Sequence, residues 1–198
     1  MKELVTSKLK YLTYTYDFEV CAHIREISGK LDIDLRELTD RLSNVNQSLE
    51  KTTEDNYFDY LKSLLYKISQ NGASQNRHQC IHSKYTTIIF HTHPLSAYSY
   101  PSLEDIIKVC KNSKIAYSVI ATTWGIWIIN KNTANLDSRE QLENYLTHYL
   151  DKLGLVLRKK MELTINDELF INEMVDKIKK TGIDLQFFNW DQPVFIKI

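Results

Sequence analysis

A β-branched, apolar run that stops at two alternating histidines and a proline constrains this chain more than any other feature. From Tyr85 the sequence passes through Thr86, Thr87, Ile88, Ile89 and Phe90 to His91, Thr92, His93 and Pro94. Thr86 to Phe90 is predicted as a buried strand. Side chains on a strand repeat their direction every second residue, so His91 and His93 leave its end on one face. Pro94 has no N–H to give a sheet and closes the strand. After a polar, aromatic loop, Pro101, Ser102, Leu103, Glu104 and Asp105 read as a helix start. Ser102 is the N-cap, and Leu103, Ile106, Ile107 and Cys110 follow at helical spacing. Asp105 then lies in the first turn, where the helix dipole favours a carboxylate. If the loop folds back, His91, His93 and Asp105 become three ligands for one divalent ion. Zinc suits nitrogen and oxygen donors, and a fourth position left to water marks a catalytic rather than a structural site.

Taken apart, these signals are weak. An H-x-H pair usually binds nothing, and Ser-x-x-Asp before an apolar run is a helix-capping pattern. Their order is what carries information: strand, two ligands, loop, cap, third ligand, helix.

The chain has 198 residues and a formal net charge of zero, with no long run of like charge. That length suits one domain with a substantial core, read as residues 1–154, and a helix-plus-strand extension over 155–198 packed on it. Neutral charge disfavours nucleic acid and anionic membrane surfaces as partners. Neither a secretory leader nor a membrane-spanning stretch is visible. Cys21, Cys80 and Cys110 are odd in number and widely spaced. They read as free thiols in a reducing compartment, so the expectation is a soluble, cytoplasmic protein.

Along the chain, Tyr11 to Tyr16 alternates like a strand, and the first ten residues could form a short helix. Asp17 to Ile24 continues the alternation, with Phe18, Val20, Ala22 and Ile24 on one side and Glu19, Cys21 and His23 on the other. Ser28, Gly29 and Lys30 read as a turn, and Leu31 to Leu35 as the second strand of a hairpin. The segment through Leu42 and Val45 is polar and gives no clear pattern. Asn56 to Ile68 has helical spacing, with Asn71 and Gly72 as a stop. Asn71 to Lys84 reads as a loop, leaving His78 and His82 exposed to solvent. Ala116 to Ala121 and Gly125 to Ile129 read as strands joined at Thr122, Thr123 and Trp124, with Trp124 and Trp127 as core aromatics. Ser138 caps a helix that Gly154 ends. An extended piece to Leu163 and a helix through Ile171, Met174, Val175 and Ile178 follow, stopped by Gly182. The aromatic end with Pro193 reads as an edge strand or tail covering the core.

His91-x-His93-Pro94 followed by Ser102-x-x-Asp105 resembles the metal motif of the JAMM (MPN-plus) zinc metalloproteases. The resemblance implies that His91, His93 and Asp105 hold zinc and that Ser102 assists the tetrahedral intermediate. It also implies an upstream glutamate that handles protons. Glu19 fits that role, because Glu19-Val20-Cys21-Ala22 resembles the family's strand pattern. Eight residues separate His93 from Ser102, where the family usually has seven. The implied fold is α/β of the α+β type, a curved mixed β-sheet flanked by helices with an MPN/JAB-like (cytidine-deaminase-like) core. The family's helix ahead of the glutamate strand reads here as short or missing. The implied activity is hydrolysis of isopeptide or peptide bonds, removing ubiquitin or a ubiquitin-like protein. Tyr98 and Tyr100, in the loop between the ligands, would border the substrate groove or pack on the domain. The C-terminal extension is similar to JAMM proteins of large DNA viruses and could serve a protein partner or dimer. The rival readings are a non-catalytic MPN-fold scaffold acting through a partner, and a nucleic-acid-associated relative, against which the neutral charge counts.

Overall fold

The structure, a computed structural model, describes residues 1–43, 53–70, 87–94, 97–130, 139–157 and 160–198. In chain order it runs β1 (Lys2–Glu3), α1 (Ser7–Thr15), β2 (Cys21–Ile27), β3 (Lys30–Ile33), α2 (Leu35–Ser43) and α3 (Glu54–Gln70). There follow β4 (Thr87–Thr92), α4 (Leu103–Lys111), β5 (Ile115–Ala121), β6 (Gly125–Asn130) and α5 (Arg139–Leu157). The chain closes with α6 (Ile165–Lys179), β7 (Asp184–Asn189) and β8 (Phe195–Ile196).

Six strands form one sheet in the order β3-β2-β4-β5-β6-β7, and β1 pairs with β8 beside it. β4 and β5 are parallel, and every other neighbouring pair in the sheet is antiparallel. Parallel neighbours need a crossover, and α4 supplies it. The mixed α/β sheet flanked by helices is therefore observed.

Strand alternation divides the core in two. Ile88 and Phe90 of β4, Val119 and Ala121 of β5, and Ile126 and Ile128 of β6 join one cluster with α1, α2 and α3. Ile89, Ile120, Trp127 and Ile129 join the other with α4, α5 and α6. Central strands covered on both faces read as nearly continuous apolar runs, which is why β5 and β6 were visible in the sequence. His91 shares the parity of Ile89 and so faces the α4 side.

The β2–β3 hairpin turns at Ser28 (φ 49°) and Gly29 (φ 83°), both left-handed, as the tight hairpin expected there requires. Along β2, β3 pairs with Ile24 to Ile27 and leaves Cys21 to His23 without a strand on that side. The exposed start of β2 is satisfied otherwise: the Asp34 N–H donates to the His23 carbonyl at 2.8 Å, and Arg41 donates to the Cys21 carbonyl. α2 thus closes an edge that would otherwise invite another strand.

Several expectations are corrected. Tyr11 to Thr15 is helical, not strand: α1 buries Leu9, Leu12 and Thr13 at i, i+3 and i+4. The helix ahead of Glu19 is α1, nine residues long, so it is short and not missing. β2 starts at Cys21, so Glu19 lies just ahead of a strand rather than within one. Leu35 begins α2 instead of ending β3, and α2 takes in Leu42 of the segment that gave no pattern, while Val45 lies outside the described residues. Gly154 does not end α5, which continues to Leu157, so the start of the expected extended piece is helix. A Cβ on Gly154 would stand 2.5 Å from the Tyr100 hydroxyl, so the glycine serves close packing. The aromatic end supplies β7, a full strand on β6, as well as the tail strand β8. The expected helix stop at Asn71 and Gly72, the loop with His78 and His82, and the cap at Ser138 lie outside the described residues.

Candidate metal centre

β4 delivers the histidines, and both flanks hold its end in place. The Thr92 N–H donates to the Val20 carbonyl, and the Val20 N–H donates to Thr92 Oγ1, each at 2.9 Å. On the other side the His93 N–H donates to the Ala121 carbonyl at 2.8 Å. Hydrogen bonding therefore continues past the strand's last residue, fixing both imidazoles relative to the sheet.

α4 delivers the carboxylate. Ser102 caps it with a reciprocal box: the Asp105 N–H donates to Ser102 Oγ at 3.2 Å, and Asp105 Oδ2 accepts from the Ser102 N–H at 2.8 Å and its hydroxyl at 2.7 Å. Oδ2 is thus saturated within the cap. Oδ1 lies 3.2 Å from His91 Nε2, and Oδ2 lies 3.5 Å from His93 Nε2. The two Nε2 atoms are 3.2 Å apart.

These separations test the donor set against an ion. Metal bonds of about 2.0–2.1 Å at a tetrahedral angle put two donors roughly 3.3 Å apart. The His91–His93 and His91–Oδ1 separations, both 3.2 Å, agree with that value, and His93 Nε2 lies 3.5 Å from the other carboxylate oxygen, Oδ2. His91, His93 and Asp105 are the group that could hold a metal among the described residues, and the expected ligands do converge.

Protonation agrees as well. His93 Nδ1 lies 2.8 Å from the Tyr98 carbonyl oxygen, which can only accept. In the neutral ring the proton therefore sits on Nδ1, and the Nε2 lone pair points at His91 and Asp105, as ligation needs. Burial works against a charge on His93, but the neighbouring Asp105 carboxylate outweighs it, with lesser help from the Tyr98 carbonyl and Glu19, so its pKa lies above the usual value. Burial likewise opposes the charge on Asp105, yet hydrogen bonds from His91 and His93 and their charge hold it well below the usual carboxylate range. The ionised carboxylate is thus matched by positive charge from the histidines, and a metal ion would take the place of their protons.

Glu19 is placed by register. Cys21 pairs with His91, and the Val20–Thr92 bonds continue the ladder, so Glu19 falls opposite His93. Residues directly opposite on antiparallel strands point to the same face. Glu19 is exposed, at the solvent side of the site, and close enough for its charge to act on His93. Ser102 is beside the ligands, with its hydroxyl proton given to Asp105. His23 is a β2 residue whose Nδ1 lies 3.5 Å from Glu37.

A second box has the same chemistry without the histidines. Thr164 caps α6, and Asp167 Oδ2 accepts from its N–H at 2.9 Å and its hydroxyl at 2.7 Å, while Oδ1 takes the Lys160 ammonium.

Sequence reasoning missed the groups that hold His93's loop. The Tyr98 contribution is a backbone carbonyl, which no side-chain pattern announces. It also missed that Cys21 is disulfide-bonded, its partner lying outside the described residues, while Cys110 is not in a disulfide. Spacing along the chain says nothing of distance in space, so the reading of three free thiols is corrected at Cys21. The reducing compartment inferred from those thiols loses that support. No helix among the described residues is long and apolar enough to cross a membrane.

No protein-family model, curated protein or solved structure matches the chain.

Proposed function

We propose that this protein is a zinc-dependent amide hydrolase, an isopeptidase of the JAMM type that removes ubiquitin or a ubiquitin-like protein. The observation that carries the reading is the convergence of two imidazoles and one carboxylate, with the exposed Glu19 close enough for its charge to act on His93. The mixed sheet, with α1 ahead of the Glu19 segment and the β5–β6 pair after α4, supports an MPN-like core. Bound zinc would polarise the scissile carbonyl and make hydroxide available near pH 7.

The chain's own residues supply the rest. The Glu19 carboxylate accepts a proton from the attacking water and returns it to the departing amine. The Ser102 hydroxyl, turned from Asp105 toward the substrate's carbonyl oxygen, donates to the developing oxyanion. Losing one such donor typically costs about 3 kcal/mol in the barrier. Asp105 keeps the Ser102 N–H when that hydroxyl turns, so the ligand stays oriented. The end of α5, the segment before α6 and the start of α6 expose Leu155, Val156, Met161, Ile165 and Leu169, apolar surface that a protein partner or second copy would cover.

Elemental analysis of the purified protein, with a fluorogenic ubiquitin-tail cleavage assay with and without chelator, tests the proposal. Zinc at one ion per chain and chelator-sensitive cleavage are expected. Glu19→Gln keeps the metal and loses turnover by roughly 10²–10⁴-fold. Full activity of that variant removes Glu19 from the mechanism, and a metal-free protein without cleavage leaves the scaffold reading in its place.

A further inference from the structure

The ligand loop between β4 and α4 carries no regular structure of its own at residues 97–100, yet one of its carbonyls sets the state of His93. That carbonyl belongs to Tyr98, whose side chain is 62% exposed and so does not anchor the peptide in the core. The anchor is the next residue. Ser99 Oγ and Thr123 Oγ1 share a hydrogen bond of 2.6 Å, and the Ser99 carbonyl accepts from Trp127 Nε1 at 3.0 Å. Thr123 is buried in the β5–β6 turn, and Trp127 is fully buried in the middle of β6. Side chain and carbonyl of a single residue are thus tied to buried residues of the β5–β6 hairpin, one peptide unit away from the oxygen that His93 uses.

We infer that Ser99 is a positioning residue of the metal site: pinned by Thr123 and Trp127, it holds the Tyr98 carbonyl where it fixes the proton of His93 on Nδ1 and leaves Nε2 for the ion. The inference deepens the zinc reading and rests on it. A neutral imidazole whose Nδ1 has no acceptor can place its proton on Nε2 instead, and that tautomer cannot ligate through Nε2. A ligand loop released from the hairpin lets the Tyr98 carbonyl drift, and the two tautomers then compete. Groups that orient a ligating histidine typically carry 10–100-fold of metal affinity.

Four variants test this: Ser99→Ala and Thr123→Val, which each remove one hydroxyl, and Ser99→Thr and Thr123→Ser, which each keep it. The first readout is the nitrogen-15 shift pair of His93 in metal-free protein held above the His93 pKa. Wild type, Ser99→Thr and Thr123→Ser should show Nδ1–H, while Ser99→Ala and Thr123→Val should show a mixture with Nε2–H. The second readout is zinc affinity by competition with a chromogenic chelator, where the two hydroxyl-deleting variants should bind roughly tenfold or more weakly. The double variant should match either single one, because both remove the same bond. A merely structural tie would shift the unfolding midpoint and leave the tautomer alone. An unchanged His93 tautomer in Ser99→Ala and Thr123→Val overturns the inference, whatever happens to affinity. Failure of wild type to bind zinc refutes the zinc reading instead, and the tautomer readout still judges Ser99 separately.

Discussion

Replacing Asp105 with asparagine separates its two duties. The amide oxygen of asparagine can still accept from the Ser102 N–H and hydroxyl, and asparagine is compatible with a helix's first turn, so the cap largely survives. The ligand does not. Dividing a typical zinc binding free energy of ~10–16 kcal/mol over four ligands assigns about 3 kcal/mol to each, a loss on the order of a hundredfold in affinity. Thermal unfolding with and without zinc reads this directly. At a free zinc concentration one hundred times the wild-type dissociation constant, binding stabilises the native state by about 2.7 kcal/mol. For a chain of this size each kcal/mol moves the midpoint by about 2–4 °C, so the wild type should rise by about 5–10 °C. At the same zinc concentration Asp105→Asn, bound a hundredfold more weakly, gains about 0.4 kcal/mol and rises by only about 1 °C. The comparison belongs on the alkaline side of neutrality, where protons compete least with the metal for its donors. A zinc-induced rise in Asp105→Asn equal to that of wild type would show that Asp105 is not a ligand.

Four further outcomes follow from the same geometry. Zinc and protons compete for His93, whose pKa is raised in the metal-free fold, so affinity should begin to fall above pH 6.5 and keep falling as the solution is acidified; isothermal titration across pH 6–9 reads it, and a flat profile contradicts it. In the metal-free protein the same shift runs the other way for stability: the His93–Asp105 pairing contributes fully below about pH 6.5 and is lost as pH rises through the higher folded pKa. Gly154→Ala gains about 1 kcal/mol of helix propensity but drives a methyl against the Tyr100 hydroxyl, the movable end of a side chain, so urea unfolding should change by no more than about 1 kcal/mol while Tyr100 is displaced; a loss above about 3 kcal/mol would mean that Tyr100 cannot yield. Ser102→Ala and Thr164→Ala should each cost about 1 kcal/mol of stability as lost caps, yet only Ser102→Ala should weaken zinc binding, and equal affinity in both would detach Ser102 from the site.

What the sequence made legible was local. β4, α4, β5 and β6 each announce themselves within ten residues, through an apolar run, a capping serine or a turn, and the metal candidates sit at the junctions of those elements. The mixed sheet follows from the same pieces, because a strand, a helix and a strand in succession make a parallel pair. Elements whose identity depends on distant partners were less legible. Tyr11 to Thr15 alternates in polarity, yet Leu9, Leu12 and Thr13 are drawn onto the core as a helix, and the Tyr14 hydroxyl reaches the Thr123 carbonyl across most of the chain. β7 pairs with β6 about sixty residues earlier, so its six residues could not show that they belonged to the main sheet. Gly154 reads as a helix stop only if nothing packs on it, and Tyr100 does.

The two capping boxes show why the site itself was only half legible. Ser102-x-x-Asp105 and Thr164-x-x-Asp167 build the same local object: a saturated Oδ2 and a second oxygen presented outward at a helix N-terminus. At Asp167 the chain brings up Lys160, which with the Thr164 hydrogen bonds holds the carboxyl down at about 2. At Asp105 a strand brings up two imidazoles instead. The local pattern therefore supplies an oriented carboxylate and nothing more, and what it becomes depends on the cation that tertiary structure delivers to it. A lysine satisfies that carboxylate permanently, because its charge stays in place at any ordinary pH. Paired imidazoles hold their charge only while protonated, and when they lose it two ring nitrogens and a carboxylate are left as a converging set of donors. That difference in permanence is the physical reason to look for an ion at Asp105 and not at Asp167.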